Sequence, residues 1–243
     1  MAEFSLEAVV LISGVIMIAA TLQGITGFGF NLLAVPALIL VYSPQIAVPG
    51  VIMSFIPLGI VQFIQLRHLI DFRILGSFVG SAFFALPFGA YILGQVDADT
   101  MRMGIGVMMI FLALLLQLRP GRPFKRDFLV RIGTGFVCGT LAASTGVSGP
   151  PLVLLGLKQK WPYMNFRATL MAFFTLVSIL SIPFHWRVGL VNAETVQFAG
   201  AAFPGLVLGY FLGTWLRSLV DARLFRWVAL GLVILGGVSA IVL

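Results

Sequence analysis

Two stretches of this sequence combine glycine with small polar side chains inside otherwise apolar runs. They are Gln23-Gly-Ile-Thr-Gly-Phe-Gly-Phe-Asn31 and Ser144-Thr-Gly-Val-Ser-Gly-Pro-Pro151. Non-helical backbone at membrane depth is tolerated only inside protein or beside a water-filled cavity. Pro150 and Pro151 suit a helix start, where a missing N–H costs little. The limb that follows each break therefore presents its N-terminus to the break. Free backbone N–H groups and the positive end of a helix dipole favour an anion there. The candidate binding residues are Gln23, Thr26, Gly27, Gly29 and Asn31 at the first break. At the second they are Ser144, Thr145, Gly146, Ser148 and Gly149. Gln62 joins them as an amide facing the cavity or bonding between helices, with Gln65 about one turn further on. Arg167, just past the second break, is either a lipid-facing anchor or an arginine at the cytoplasmic mouth that handles an anion. Glycines of this kind also serve tight turns and close helix packing alone. Their occurrence as a pair, each copy with hydroxyl or amide groups, favours a site.

Other chemistries lack their residues. The eight carboxylates are Glu3, Glu7, Asp71, Asp97, Asp99, Asp127, Glu194 and Asp221, and each falls in a loop or at the end of an expected helix. A sodium- or proton-coupled carrier usually buries an acid in its relay. Intramembrane proteases need buried acids or a His-rich helix. The sequence therefore predicts no enzyme, no cofactor and no metal. Cys138 is the single cysteine, which excludes an intrachain disulfide and a cysteine-cluster metal site. His185 and Arg187 read as solvated groups at the outer end of a span. Trp161, Trp186, Trp215 and Trp227 read as an aromatic belt. The net charge of +7 does not point to nucleic acid, because its basic residues sit in loops between spans.

The elements that must position these residues follow from composition. The chain is 60% hydrophobic and 9% charged, against about 25% charged for a soluble domain. Its apolar runs are continuous rather than alternating in ~10-residue segments, so they predict helices and not an outer-membrane barrel. The predicted helices are Leu6–Gln23, Asn31–Tyr42, Ile46–Leu66, Phe72–Gly94 and Met101–Leu118, then Arg131–Ala143, Pro150–Leu157, Arg167–Phe184, Thr195–Leu216 and Leu224–Leu243. Asn31–Tyr42 and Pro150–Leu157 are too short to span alone. The N-terminus lacks the basic region of a secretory signal, so the first apolar limb is expected to be retained.

Loop charge sets the orientation, because cytoplasmic loops carry excess Lys and Arg. Arg67 and Arg73; Arg119, Arg122, Lys125, Arg126 and Arg131; Lys158, Lys160 and Arg167; and Arg217, Arg223 and Arg226 mark four inside loops. Only Arg102 and Arg187 of the 15 basic residues fall outside. Residues 6–42 and 131–157 then become hairpins entered from opposite faces. The expected plan is a first repeat at 1–118, a basic cytoplasmic linker at 119–130 and a second repeat at 131–243. Each repeat is a broken helical hairpin plus three spans, the two are inverted, and both termini lie outside. Repetition in the sequence agrees. The Thr-Gly pairs at Thr26 and Thr145 are offset by 119 (145 − 26), and Val96-Asp-Ala-x-x-x-Arg102 returns as Val220-Asp-Ala-x-x-x-Arg226, offset by 124 (220 − 96).

Gly24-Ile-Thr-Gly-Phe-Gly-Phe-Asn-Leu-Leu-Ala-Val-Pro36 resembles the first glycine motif of the TauE/SafE family of sulfite and organosulfonate permeases. Ser144-Thr-Gly-Val-Ser-Gly-Pro-Pro-Leu-Val resembles its partner motif, and Phe166-Arg-Ala-Thr-Leu170 a further segment. The resemblance implies an integral protein of the cytoplasmic membrane that carries small sulfur oxyanions or carbon acids. Thr26, Gly27, Gly29, Asn31, Thr145, Gly146 and Ser148 are the positions it carries over. Ser148 stands where the first motif has Gly29, and Pro150 where it has Asn31, so the two half-sites are not equivalent. The expected function is a secondary transporter of a small anion, with the lipid bilayer and that anion as partners and a homodimer left open. A non-transporting membrane assembly protein and an anion channel remain the alternatives.

Overall fold

The computed structural model describes residues 5–117 and 127–216. Arg119, Arg122, Lys125 and Arg126 of the expected linker lie outside them. So do Glu3, Asp221, Arg217, Arg223, Arg226, Trp227, the expected helix Leu224–Leu243 and the second Val-Asp-Ala motif.

The described chain is helical throughout. Its elements are α1 (Leu6–Thr26), α2 (Phe30–Leu38), α3 (Pro44–Leu66), α4 (Phe72–Gln95) and α5 (Ala98–Gln117). They continue as α6 (Asp127–Thr145), α7 (Gly149–Gln159), α8 (Tyr163–Arg187) and α9 (Ala193–Leu216). A lipid environment leaves each backbone N–H and C=O to be paired within its own segment, which an apolar helix does. Six of the described helices, all but α2, α5 and α7, are long and apolar enough to cross a bilayer. The nine residues of α2 and eleven of α7 extend only about 14 and 17 Å at 1.5 Å per residue. Polar side chains set the ends. Ser5 accepts from the Ala8 N–H at 3.2 Å, and Asp71 accepts from the N–H groups of Arg73 and Ile74. Asp97 accepts from the Thr100 N–H at 2.9 Å, which holds its carboxyl below the usual range.

The helices do not pack by halves of the sequence. The most extensive contacts are α4 with α6 and α1 with α9, and α3 against α8 joins the two sets. One apolar core draws mainly on α1, α2, α3, α5 and α9, the other on α4, α6, α7 and α8. The two limbs of each break thus share a core with a long helix from the other half of the chain.

Small residues make these seams. Gly205, Gly209 and Gly213 recur every fourth residue along α9, and a Cβ on them would strike the carbonyl oxygens of Ser13, Met17 and Thr21 on α1. On the other seam, Gly135 and Gly139 of α6 lie against Phe78 and Ala82 of α4, and Gly89 of α4 lies against Thr140 and Ala143. Gly213 meets Gly24 and Gly89 meets Ala143, so both seams close on the last turn before a break. Gly89 and Gly213 are 124 positions apart (213 − 89), and Gly24 and Ala143 are 119 apart (143 − 24). These are the offsets already seen in the motifs, recovered from contacts alone.

The first Val-Asp-Ala motif has a structural task. Arg102 reaches from α5 to the end of α2, donating from Nε to the Ile39 carbonyl at 2.8 Å and from a terminal nitrogen to that of Tyr42 at 3.4 Å. A second terminal nitrogen pairs with Asp99 at 2.8 Å. Arg102→Ala should release the returning limb of the first break at a cost of about 1–3 kcal/mol. A lowered melting temperature in detergent, with faster amide exchange at residues 39–42, is the expected readout.

A candidate anion site between two helix breaks

Gly27 ends α1 in the left-handed conformation (φ 82°), with its N–H on the Gln23 carbonyl at 2.7 Å, and Gly29 (φ 103°) opens α2. At the second break Gly146 (φ 70°) follows α6, and Ser148 stands before Gly149, the first residue of α7. Only glycine takes positive φ without a Cβ penalty.

The threonines do the same local work at both breaks. The Thr26 hydroxyl lies 2.8 Å from the Leu22 carbonyl and 2.7 Å from that of Phe28, and it accepts from the Phe28 N–H at 3.4 Å. Thr145 repeats the arrangement with the Leu141 carbonyl at 2.8 Å, the Val147 carbonyl at 3.5 Å and the Val147 N–H at 3.2 Å. Both hydroxyls are engaged by the backbone of their own break. Ser144 likewise donates to the Thr140 carbonyl at 2.8 Å.

The amides reach further. Gln23 is buried, and its Oε1 accepts from the N–H of Phe30, the first residue of α2. Its Nε2 donates to Gln62 on α3 at 3.1 Å and lies 3.0 Å from the Met171 sulfur on α8. Gln62 is therefore buried beside the first break, whereas Gln65 is exposed and donates to the Tyr210 hydroxyl. Asn31 joins the breaks directly, its Nδ2 donating to the Gly146 carbonyl at 2.6 Å. Its Oδ1 is buried with no hydrogen-bond partner.

A small cavity of about 30 Å³ lies where the breaks meet, room for about two water molecules. Gln23, Gly29, Asn31, Gly146, Ser148 and Gly149 line it, and Phe30, Phe55 and Phe174 are among its apolar walls. The first turn of a helix leaves its N–H groups unpaired within the helix. In α2 the Phe30 N–H is taken by Gln23, leaving those of Asn31 and Leu32. In α7, Pro150 and Pro151 have no N–H, so Gly149 is the backbone donor. Ser148 lines the cavity and makes no side-chain cap bond. Donors, a helix N-terminus from each side and apolar walls suit a small anion.

Three groups stand where the sequence did not put them. Arg167, expected at the head of its helix as a lipid-facing anchor or a group at the cytoplasmic mouth, lies in the second turn of α8, buried, with its guanidinium packed on Gly27. His185 is not solvated at an interface. It is fully buried, and its Nε2 meets the Ala143 carbonyl at 2.8 Å in the last turn of α6. A carbonyl accepts only, so this nitrogen carries the proton. The polar pull of that unpaired helix-end carbonyl outweighed the interfacial preference expected of a span end. His185→Leu should strand the Ala143 oxygen and lower stability by about 1–3 kcal/mol, read as a thermal melt. Trp161 is half-buried against Phe78 and Phe166, while Trp186 and Trp215 are exposed as a belt requires.

Sequence reasoning missed Phe28 and Val147. Phe28 of the first break packs on the core around α4, α6 and α8, and Val147 of the second is buried in the core around α1, α2 and α3. Each break thus anchors in the opposite core. The signal was present, since these residues are also 119 positions apart (147 − 28).

A family profile described as Sulfite exporter TauE/SafE matches residues 12–240. The probable sulfite/organosulfonate exporter TauE of Cupriavidus necator is 25% identical over 227 residues, covering 89% of this chain and 87% of that protein. No solved structure matches the chain.

Proposed function

Starting from the fact that this chain belongs to the sulfite exporter TauE/SafE family, we propose that it is a secondary transporter of a small sulfur anion, sulfite or an organosulfonate, bound between the two helix breaks. It is an integral membrane protein of a transporter family. The relative's printed role supplies the substrate class. The observation that carries the site is the Asn31–Gly146 hydrogen bond, with a polar-lined cavity beside it.

In this reading the anion takes the Asn31, Leu32 and Gly149 N–H groups and the Ser148 hydroxyl. Thr26, Thr145 and Ser144 shape the breaks, and Gly27, Gly29 and Gly146 give them their turns. Gln23 and Gln62 hold the start of α2 in place, and Arg167 lends positive charge from behind Gly27. The breaks are the tips of two hairpins in inverted repeats. Supporting this are the recovered offsets, the equivalent threonine geometry and the matching α1–α9 and α4–α6 seams. The two cores, each shared between halves of the chain, rock against one another at the tips to alternate access. The protein resides in the cytoplasmic membrane with both termini outside. It works as one membrane domain made of two repeats, and a homodimer is compatible with it.

Purified protein in proteoliposomes should take up labelled sulfite saturably when the lumen is preloaded with unlabelled sulfite. Uptake no faster than in protein-free vesicles, for sulfite and for organosulfonates alike, would end the proposal.

A further inference from the structure

The groups around the cavity constrain the form in which an anion could cross. The Asn31 amide is oriented unambiguously, because the Gly146 carbonyl can only accept and so must face Nδ2. Oδ1 is then left buried without a donor. A buried acceptor in that state calls for a donor from elsewhere. The other polar groups at the cavity's helix starts are the Asn31, Leu32 and Gly149 N–H groups, which only donate, and the Ser148 hydroxyl, which can donate or accept. Among the described residues lining it, none is an Asp, Glu, Lys, Arg or His. The Arg167 guanidinium stands behind the first break, against Gly27.

Charge matters steeply here. The cost of desolvating an ion rises as the square of its charge, so a dianion would cost about four times as much as a monoanion of the same size. Neutral donors can hold a single negative charge, but two are poorly matched with no cation in the lining.

We infer that the transported species is a monoanion bringing its own hydrogen-bond donor, with its negative oxygens on the N–H and hydroxyl groups and its donor on Asn31 Oδ1. This rests on the transporter reading above. The donor can be the acid O–H of a hydrogen-oxyanion such as hydrogensulfite, or a hydroxyl or ammonium group of an organosulfonate. In the first case one proton and one negative charge cross together on the substrate. The proton stays on its oxygen throughout, and no carboxylate of the protein is needed to carry it.

The test uses the full protein in proteoliposomes with a pH-sensitive dye in the lumen, valinomycin and potassium clamping the potential. Sulfite is added outside at a pH just above its second ionisation. Hydrogensulfite releases its proton after crossing and acidifies the lumen, whereas the dianion takes one up and alkalinises it. Protein-free vesicles subtract leakage of the neutral acid. The expected result is protein-dependent acidification, with sulfate failing to compete. Competitors then separate the two donor sources. If 2-hydroxyethanesulfonate inhibits at least about tenfold better than 1-propanesulfonate, which has a methyl group in place of the hydroxyl, an organosulfonate donor fits the site. If the two inhibit equally alongside acidification, the donor is the acid O–H. Alkalinisation, or sulfate competing as well as sulfite, overturns the inference while leaving a transporter. Absence of labelled sulfite uptake overturns both.

Discussion

Gly209→Val should leave little folded protein, with a loss of about 3 kcal/mol or more, at the upper end of what overpacking costs. A Cβ on Gly209 would collide with the Met17 carbonyl and come within 2.7 Å of the Ala20 Cβ. Neither neighbour can turn aside, since one is helix backbone and the other has no rotamer to change. The whole of α1 would have to back away from α9, and with it the first break, whose last helical turn rests on Gly213. Close approach through small residues is a main source of attraction between helices in lipid, where burying apolar surface gains nothing. Gly200→Val is the matched control, because that residue on the same helix has nothing within 4 Å of its Cβ position. Gly200→Val should behave as wild type in size-exclusion profile and melting temperature, while Gly209→Val aggregates. Equal behaviour of the two variants would remove the seam from the account.

Asn31→Leu is expected to reduce transport at least about tenfold, equivalent to 1.4 kcal/mol, while the protein stays folded. Leucine matches asparagine in size but cannot donate to Gly146, so the 2.6 Å bond between the breaks is lost. The Gly146 carbonyl is then stranded in a buried setting, which costs about 1–3 kcal/mol. That strain falls on the contact between the two cores, where Phe28 and Val147 cross over. Labelled-sulfite uptake and a melt on the same preparation separate the effects. Uptake should collapse with only a modest change in melting temperature. Unchanged uptake would mean that the breaks are not where the anion passes.

The helices were legible in the sequence because lipid leaves the backbone one economical way to pair itself. Their observed ends differ from the expected ones by a few residues, as with Asn31–Tyr42, which is helical over Phe30–Leu38 and turns thereafter. The two breaks were legible too, since glycine, hydroxyl and proline signals coincided there. Partner choice was not. The four-residue spacing of Gly205, Gly209 and Gly213 marks a face for close packing, but nothing in it says that the partner is α1. His185 was misread for a related reason. Its position near a span end suggests solvent, and only the tertiary fold puts the Ala143 carbonyl beside it. The division of labour within the breaks was equally hidden. Thr26 and Asn31 look alike as polar candidates, yet the threonine hydroxyl is engaged by its own backbone while the asparagine reaches across to the other break.

The proposed anion site between the breaks is probed most directly by Ser148→Cys in a chain that also carries Cys138→Ala. Ser148 lines the cavity, and Cys138 is fully buried in the core, away from that lining. Labelling of Ser148→Cys by a membrane-impermeant thiol reagent would be followed with and without 2-hydroxyethanesulfonate, an anion inert to such reagents. The expected result is labelling from the aqueous phase that slows as 2-hydroxyethanesulfonate rises, over the range in which it inhibits sulfite uptake. Labelling that saturating 2-hydroxyethanesulfonate leaves unchanged, in protein that still transports sulfite, would place the anion elsewhere.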